Sequence, residues 1–134
     1  MGATTHEDRV GTDRPLQIGR VAELTGLSLH TLRHYDEVDL LRPSARSEGG
    51  FRLYTAGDVE RLLVIRRMKP LGFSLEQMRE LLQVVDALPG ATGADEDALR
   101  ARLDEFVGLA EEARQRMLER VAMADELLDQ LHSR

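Results

Sequence analysis

Arg33, with His30 and His34 on either side of it, and a second group of Arg46, Arg52 and Tyr54 are the side chains of this sequence best equipped for chemistry. That chemistry is recognition rather than bond-making. A guanidinium offers five N–H donors in a planar fork that fits a phosphate or two acceptors on a base edge. His30 and His34 also have the i, i+4 spacing of a metal pair on one helix face, yet no third ligand lies near them, so no metal site is expected. The sequence contains no Cys, which excludes disulfides, thiolate metal centres and thiol redox sensing together. Acids are adjacent at Asp36 and Glu37, at Glu111 and Glu112, and at Asp125 and Glu126. Without a pocket they read as solvated helical carboxylates, so neither catalysis nor a cofactor is expected.

The segments that must position these residues are legible in the spacing. Ile18, Val21, Ala22 and Thr25 mark the inner face of a short helix. Gly26 ends it, and Ser28 is the N-cap of a second helix from about Leu29. There Leu32 and Tyr35 share an inner face, while His30, Arg33 and His34 point outward. Gly49 and Gly50 supply the positive φ angles of a tight hairpin. Phe51 with Leu53 alternates against Arg52 with Tyr54, which places Arg46 and Arg52 on the exposed edge. Two short helices, a tight turn and an Arg-bearing hairpin have the layout of a winged helix-turn-helix, in a chain that is otherwise mainly α. Thr55 or Asp58 opens a third helix carrying Val59, Leu62, Leu63 and Ile65, broken at Pro70 and Gly72. Ser74 caps a fourth, with Gln77 as its capping-box partner and Met78, Leu81, Leu82, Val85 and Leu88 as its apolar face.

Residues 1–15 are polar and aperiodic and read as a disordered arm, 16–88 as the head, and 89–94 as a linker. Over 95–131, Leu99, Leu103, Phe106, Ala110, Ala113, Met117, Val121, Ala124, Leu128 and Leu131 recur at steps of four and three, the apolar seam of a coiled coil. Such a helix runs for about 55 Å, too long to bury its stripe on so small a head, so it is expected to pair with a second copy as a homodimer. The formal charge is −6. Residues 16–73 nevertheless hold nine Arg or Lys against seven Asp or Glu, whereas 91–134 hold six against eleven. Nucleic-acid binding therefore has to rest on a few placed arginines rather than on a broad positive field. No apolar run of membrane-spanning length and no signal-peptide stretch occurs, so no membrane partner is expected and a cytoplasmic location is.

Ile18 to Ala22, Leu29 to Asp36, Leu40 to Pro43, Arg46 to Tyr54 and Leu71 to Leu75 together resemble the MerR-type transcriptional regulators, over roughly Leu16 to Leu88. The resemblance implies that Arg33 and Tyr35 on the recognition helix contact DNA with His30 and His34 beside them, and that Arg46, Arg52 and Tyr54 of the wing grip the phosphate backbone. It implies an antiparallel two-stranded coil. It also implies a dimer on a pseudo-palindrome within an over-long promoter spacer, where bending and untwisting of the double-stranded DNA lets RNA polymerase meet both promoter elements. Two positions depart from the pattern: Asp39 stands where the family usually has Gly, and His30 where some members have Lys. A coiled-coil adaptor whose head binds a protein is the alternative reading of the same elements.

Overall fold

The computed structural model describes residues 14–134, so most of the expected disordered arm, 1–13, lies outside the described residues. The chain order is β1 (Leu16–Gln17), α1 (Ile18–Thr25), α2 (Leu29–Glu37), β2 (Ala45–Arg46), β3 (Arg52–Tyr54), α3 (Ala56–Met68), α4 (Leu75–Ala87) and α5 (Gly93–His132). Short 3-10 turns at Lys69–Leu71 and Leu88–Gly90 join the last three helices. The fold is a mainly helical head with a small wing, followed by one long helix.

The turn between α1 and α2 forms as its residues dictate. Gly26 adopts φ 73° and its N–H closes α1 onto the Ala22 carbonyl. Thr25 is fully buried but satisfied: its hydroxyl donates to the Val21 carbonyl at 2.8 Å and accepts from Leu27 N–H at 3.2 Å. The Ser28 side chain accepts from Thr31 N–H, so α2 begins at Leu29 with one of its orphan N–H donors capped. At the far end of α2, Asp39 takes the left-handed conformation at φ 59° that Gly would adopt without strain. Capping boxes open both α3, through Thr55 and Asp58, and α4, through Ser74 and Gln77.

The head encloses one core, in which Val21 of α1, Leu32 and Tyr35 of α2, Tyr54 of β3, Leu62, Ile65 and Met68 of α3, and Met78 and Leu82 of α4 meet. On α4 the fourth apolar position is displaced from expectation, since Val84 is buried and Val85 exposed.

The wing departs from the expected hairpin in three ways. It is three-stranded, in the order β1-β3-β2, with both pairings antiparallel: Leu16 lies opposite Tyr54, and Arg46 opposite Arg52. Only Gly50, at φ 83°, supplies a positive angle at the tip. The alternation is also reversed. Phe51 is 66% exposed and Tyr54 only 1%, because β3 is the central strand and its last residue turns into the core beside α1. A two-residue strand at Leu16 is too short to show a period, so its edge pairing carried no sequence signal.

The 89–94 linker is a 3-10 turn that leads into α5 at Gly93, two residues before the expected start. Over its first half α5 packs on its own head. Phe106 is buried against Phe73, with ring centroids 6.2 Å apart, and the Arg102 guanidinium lies 4.6 Å over the Phe106 ring while pairing with Glu80 of α4. Phe106 and Ala113, expected in the seam between two chains, are thus already buried within one chain. Leu99, Leu103 and Ala110 are half-buried on the same side. The head supplied a surface that the heptad pattern could not distinguish from a second helix. From residue 114 onward every residue of α5 is exposed, and Arg116, Met117 and Arg120 still line a shallow cavity with Pro70, Leu71 and Gly72 of the head before the helix runs on alone.

Gly26→Ala forces an L side chain into the left-handed region. The added Cβ would meet only the flexible end of Arg66, at 3.6 Å, so the cost is in the backbone, about 1–2 kcal/mol. Thermal or urea unfolding measures it; an unchanged midpoint would show that the turn does not depend on that angle.

Candidate nucleic-acid interface

The outward face of α2 carries His30, Arg33 and His34, all exposed, as the spacing predicts. The opposite face holds Leu32 and Tyr35 in the core. Tyr35 is therefore corrected from a DNA-facing side chain to a packing one. Burial also raises its phenol above the usual range, and its ring lies 6.3 Å from that of His34. A helix with Leu32 inside necessarily places a residue three positions on beside it. Tyr54 is corrected in the same way. Its ring is enclosed, its hydroxyl has no hydrogen-bond partner among the described residues, and burial is the main cause of the upward shift of its phenol.

The wing arginines are held, not free. Arg52 Nε donates to Asp36 Oδ2 at 2.8 Å, and Arg46 Nη2 donates to the same oxygen at 2.9 Å. Arg46 Nη1 also reaches the Gly50 carbonyl at the wing tip, at 3.4 Å. Asp36 is not a solvated carboxylate, as the sequence suggested, but a nearly buried one, with a side chain 10% exposed beneath the two guanidinium groups. Burial alone would raise its pKa. The hydrogen bonds and charges of Arg52 and Arg46 outweigh that and hold it below the usual carboxylate range. Arg52 is shifted upward, first by its hydrogen bond to Asp36.

Other contacts fix the two elements that carry this surface. Arg79, on α4, donates to the Val38 carbonyl at 2.8 Å and the Asp39 carbonyl at 3.3 Å, satisfying acceptors at the end of α2 with a cation where the helix dipole favours one. Asp58 accepts from Thr55 N–H and from the Ser44 hydroxyl, so the start of α3 is tied to the segment that enters the wing. The links of Asp36 to the wing, of Asp58 to Ser44 and of Arg79 to the end of α2 carry no sequence signal because they span 10 to 41 residues. The one local hint was an acidic residue in the last turn of a helix, where the dipole disfavours it.

The surface therefore consists of one exposed Arg flanked by two His on a capped helix, and beside it two arginines clamped to the same helix by a shared carboxylate. Such a surface suits a groove edge and the adjoining phosphates of a duplex. No group of three potential metal ligands occurs among the described residues.

Residues 16–84 match the family model described as MerR HTH family regulatory protein, and residues 59–134 the one described as MerR, DNA binding. The HTH-type transcriptional regulator ZntR of Escherichia coli (strain K12) is 44% identical over 68 residues, covering 51% of this chain and 48% of that protein, so the chain spans about half the length of this relative. A MerR family transcriptional regulator from Bacillus cereus superposes with a TM-score of 0.61 at 29% identity, over 87% of this chain and 79% of that one. HiNmlR, a MerR family regulator lacking the sensor domain and bound to promoter DNA, superposes with a TM-score of 0.67 at 25% identity, over 88% of each chain.

Two outcomes follow from this geometry. Arg33→Ala removes an exposed donor without touching the core, and is expected to cost about 1–3 kcal/mol of specific DNA binding with the fold intact; a titration with unchanged affinity would remove α2 as the reader. Because the folded pKa of Asp36 is depressed, its contribution is complete above the ordinary carboxylate range and is lost as pH falls below about 4 through the depressed value. Acid unfolding of Asp36→Asn should accordingly be less steep than that of the parent, and parallel curves would contradict the pairing.

Proposed function

The chain belongs to the MerR family of helix-turn-helix regulatory proteins, and from that membership we propose that it acts as a homodimer on a pseudo-palindromic promoter site. Family membership makes it a DNA-binding transcriptional regulator; the dimer and the DNA deformation are inferences of this reading.

The observation that carries the dimer is the bare half of α5. Met117, Leu118, Val121, Leu127, Leu128 and Leu131 are exposed together on it, Val121 at 56% and Leu131 at 57%. An exposed apolar row of that length favours association. The first half of the helix is covered by its own head, so the second half is what remains for a twin. Antiparallel overlap of residues 114–132 holds two heads about 28 Å apart along the coil, at 1.5 Å per residue. That span is on the order of one turn of B-DNA, about 34 Å, and so supports two half-sites on one face of a duplex.

Within each half-site, Arg33 meets base edges from α2, and the wing arginines meet the flanking phosphates. A rigid pair of heads gains its full set of phosphate contacts where the DNA bends or changes its twist to match their spacing. The resulting deformation energy gives control over promoter geometry, and RNA polymerase is the partner that reads it. The promoter DNA held by HiNmlR favours this over the adaptor reading, in which the head would bind protein.

Because Val121 and Leu128 are exposed in the single chain and outside the head core, Val121→Lys with Leu128→Lys leaves the head folded and charges only the interface. Sedimentation should show the parent as a dimer and the variant as a monomer with an unshifted head melting transition. A variant that remains a dimer would move the interface elsewhere.

A further inference from the structure

Two wing arginines converge on a single oxygen, Asp36 Oδ2. On Arg52 only Nε is used: neither Nη group hydrogen-bonds to any described residue. The Nη edge of that guanidinium keeps its donors unused on a side chain that is 25% exposed, and such an edge accommodates two oxygens of a phosphate. Asp36 itself sits in the last turn of α2, three residues beyond Arg33. Both the helix dipole and a neighbouring nucleic acid disfavour a negative charge at that place. Its pairing with the wing offsets the first penalty.

We propose that Asp36 is a positioning residue for DNA binding, clamping the wing to the recognition helix so that Arg33 and the Nη edge of Arg52 meet one duplex in fixed register. The proposal rests on the head being the DNA-binding element. It runs against plain charge counting, in which neutralising a carboxylate close to phosphate tightens binding. A clamp predicts the opposite, because loosened arginines have to be ordered at the moment of binding.

The test titrates the full chain and its variants against a duplex that the wild type has enriched from a random-sequence pool, over a range of salt, with melting curves to establish the folded fraction. Asp36→Asn is expected to bind about tenfold more weakly, the scale of a lost charged hydrogen bond, with a shallower salt dependence. Asp36→Glu should recover most of that affinity, and Asp36→Asn should cost much less in an Arg52→Ala background. Equal or tighter binding by folded Asp36→Asn overturns the proposal, as does a loss fully additive with Arg52→Ala. If Asp36→Asn does not fold, Arg52→Lys decides. It keeps the charge but has no second edge, so a comparable loss is expected and wild-type affinity overturns the clamp. A wild type that enriches no duplex sinks the DNA-binding reading and the proposal with it, whereas a wild type that binds beside an unimpaired Asp36→Asn sinks only the clamp.

Discussion

A nine-residue helix is too short to persist on its own, and α2, which carries Arg33, is that short. Its shape and direction are set by tertiary contact. Leu32 and Tyr35 hold its inner face in the core, Ser28 closes its start, Arg79 reaches across from α4 to its last carbonyls, and Asp36 receives the wing. The outward face is thereby free of structural duty, and Arg33, His30 and His34 occupy it. Rigidity on one side of a short helix is what makes a few donors on the other side useful, since donors already ordered lose less entropy when they bind.

Charge follows the same division. The chain is acidic as a whole, so it has no long-range field to gather DNA, and placed contacts must supply affinity and specificity. The acidity is concentrated on α5. In the exposed half of that helix it keeps the flanks of an apolar row solvated, while the row is left for another helix. No helix among the described residues is long and apolar enough to cross a membrane.

The local elements were legible in the residues because their signals are local: Gly26 and Ser28 at the turn, Thr55 and Ser74 with their capping boxes, and the four-three spacing of the core faces. What escaped was non-local. β1 is two residues that become a strand only because β3 offers an edge. Tyr54 reads as outward by alternation, but as the end of a central strand it turns in. Tyr35 shows the difference between two kinds of inference: spacing placed it inside, resemblance placed it on DNA, and the structure agrees with the spacing. The four-three spacing of α5 was incomplete as an address, since Phe106 and Ala113 are covered by the head of their own chain and the later positions are exposed. Asp36 was the costliest omission, because a carboxylate that unites two elements looks in sequence like any helical acid.

Paired heads on one duplex fix the symmetry and stoichiometry of the complex with DNA. Selection from a random-sequence duplex pool by the full chain, followed by mass measurement of the purified complex, reads both at once. Two chains on one duplex, with an enriched inverted repeat whose half-sites lie on one face of the helix, is the predicted result. A single chain per duplex, or an enriched sequence without dyad symmetry, would contradict the paired-head arrangement.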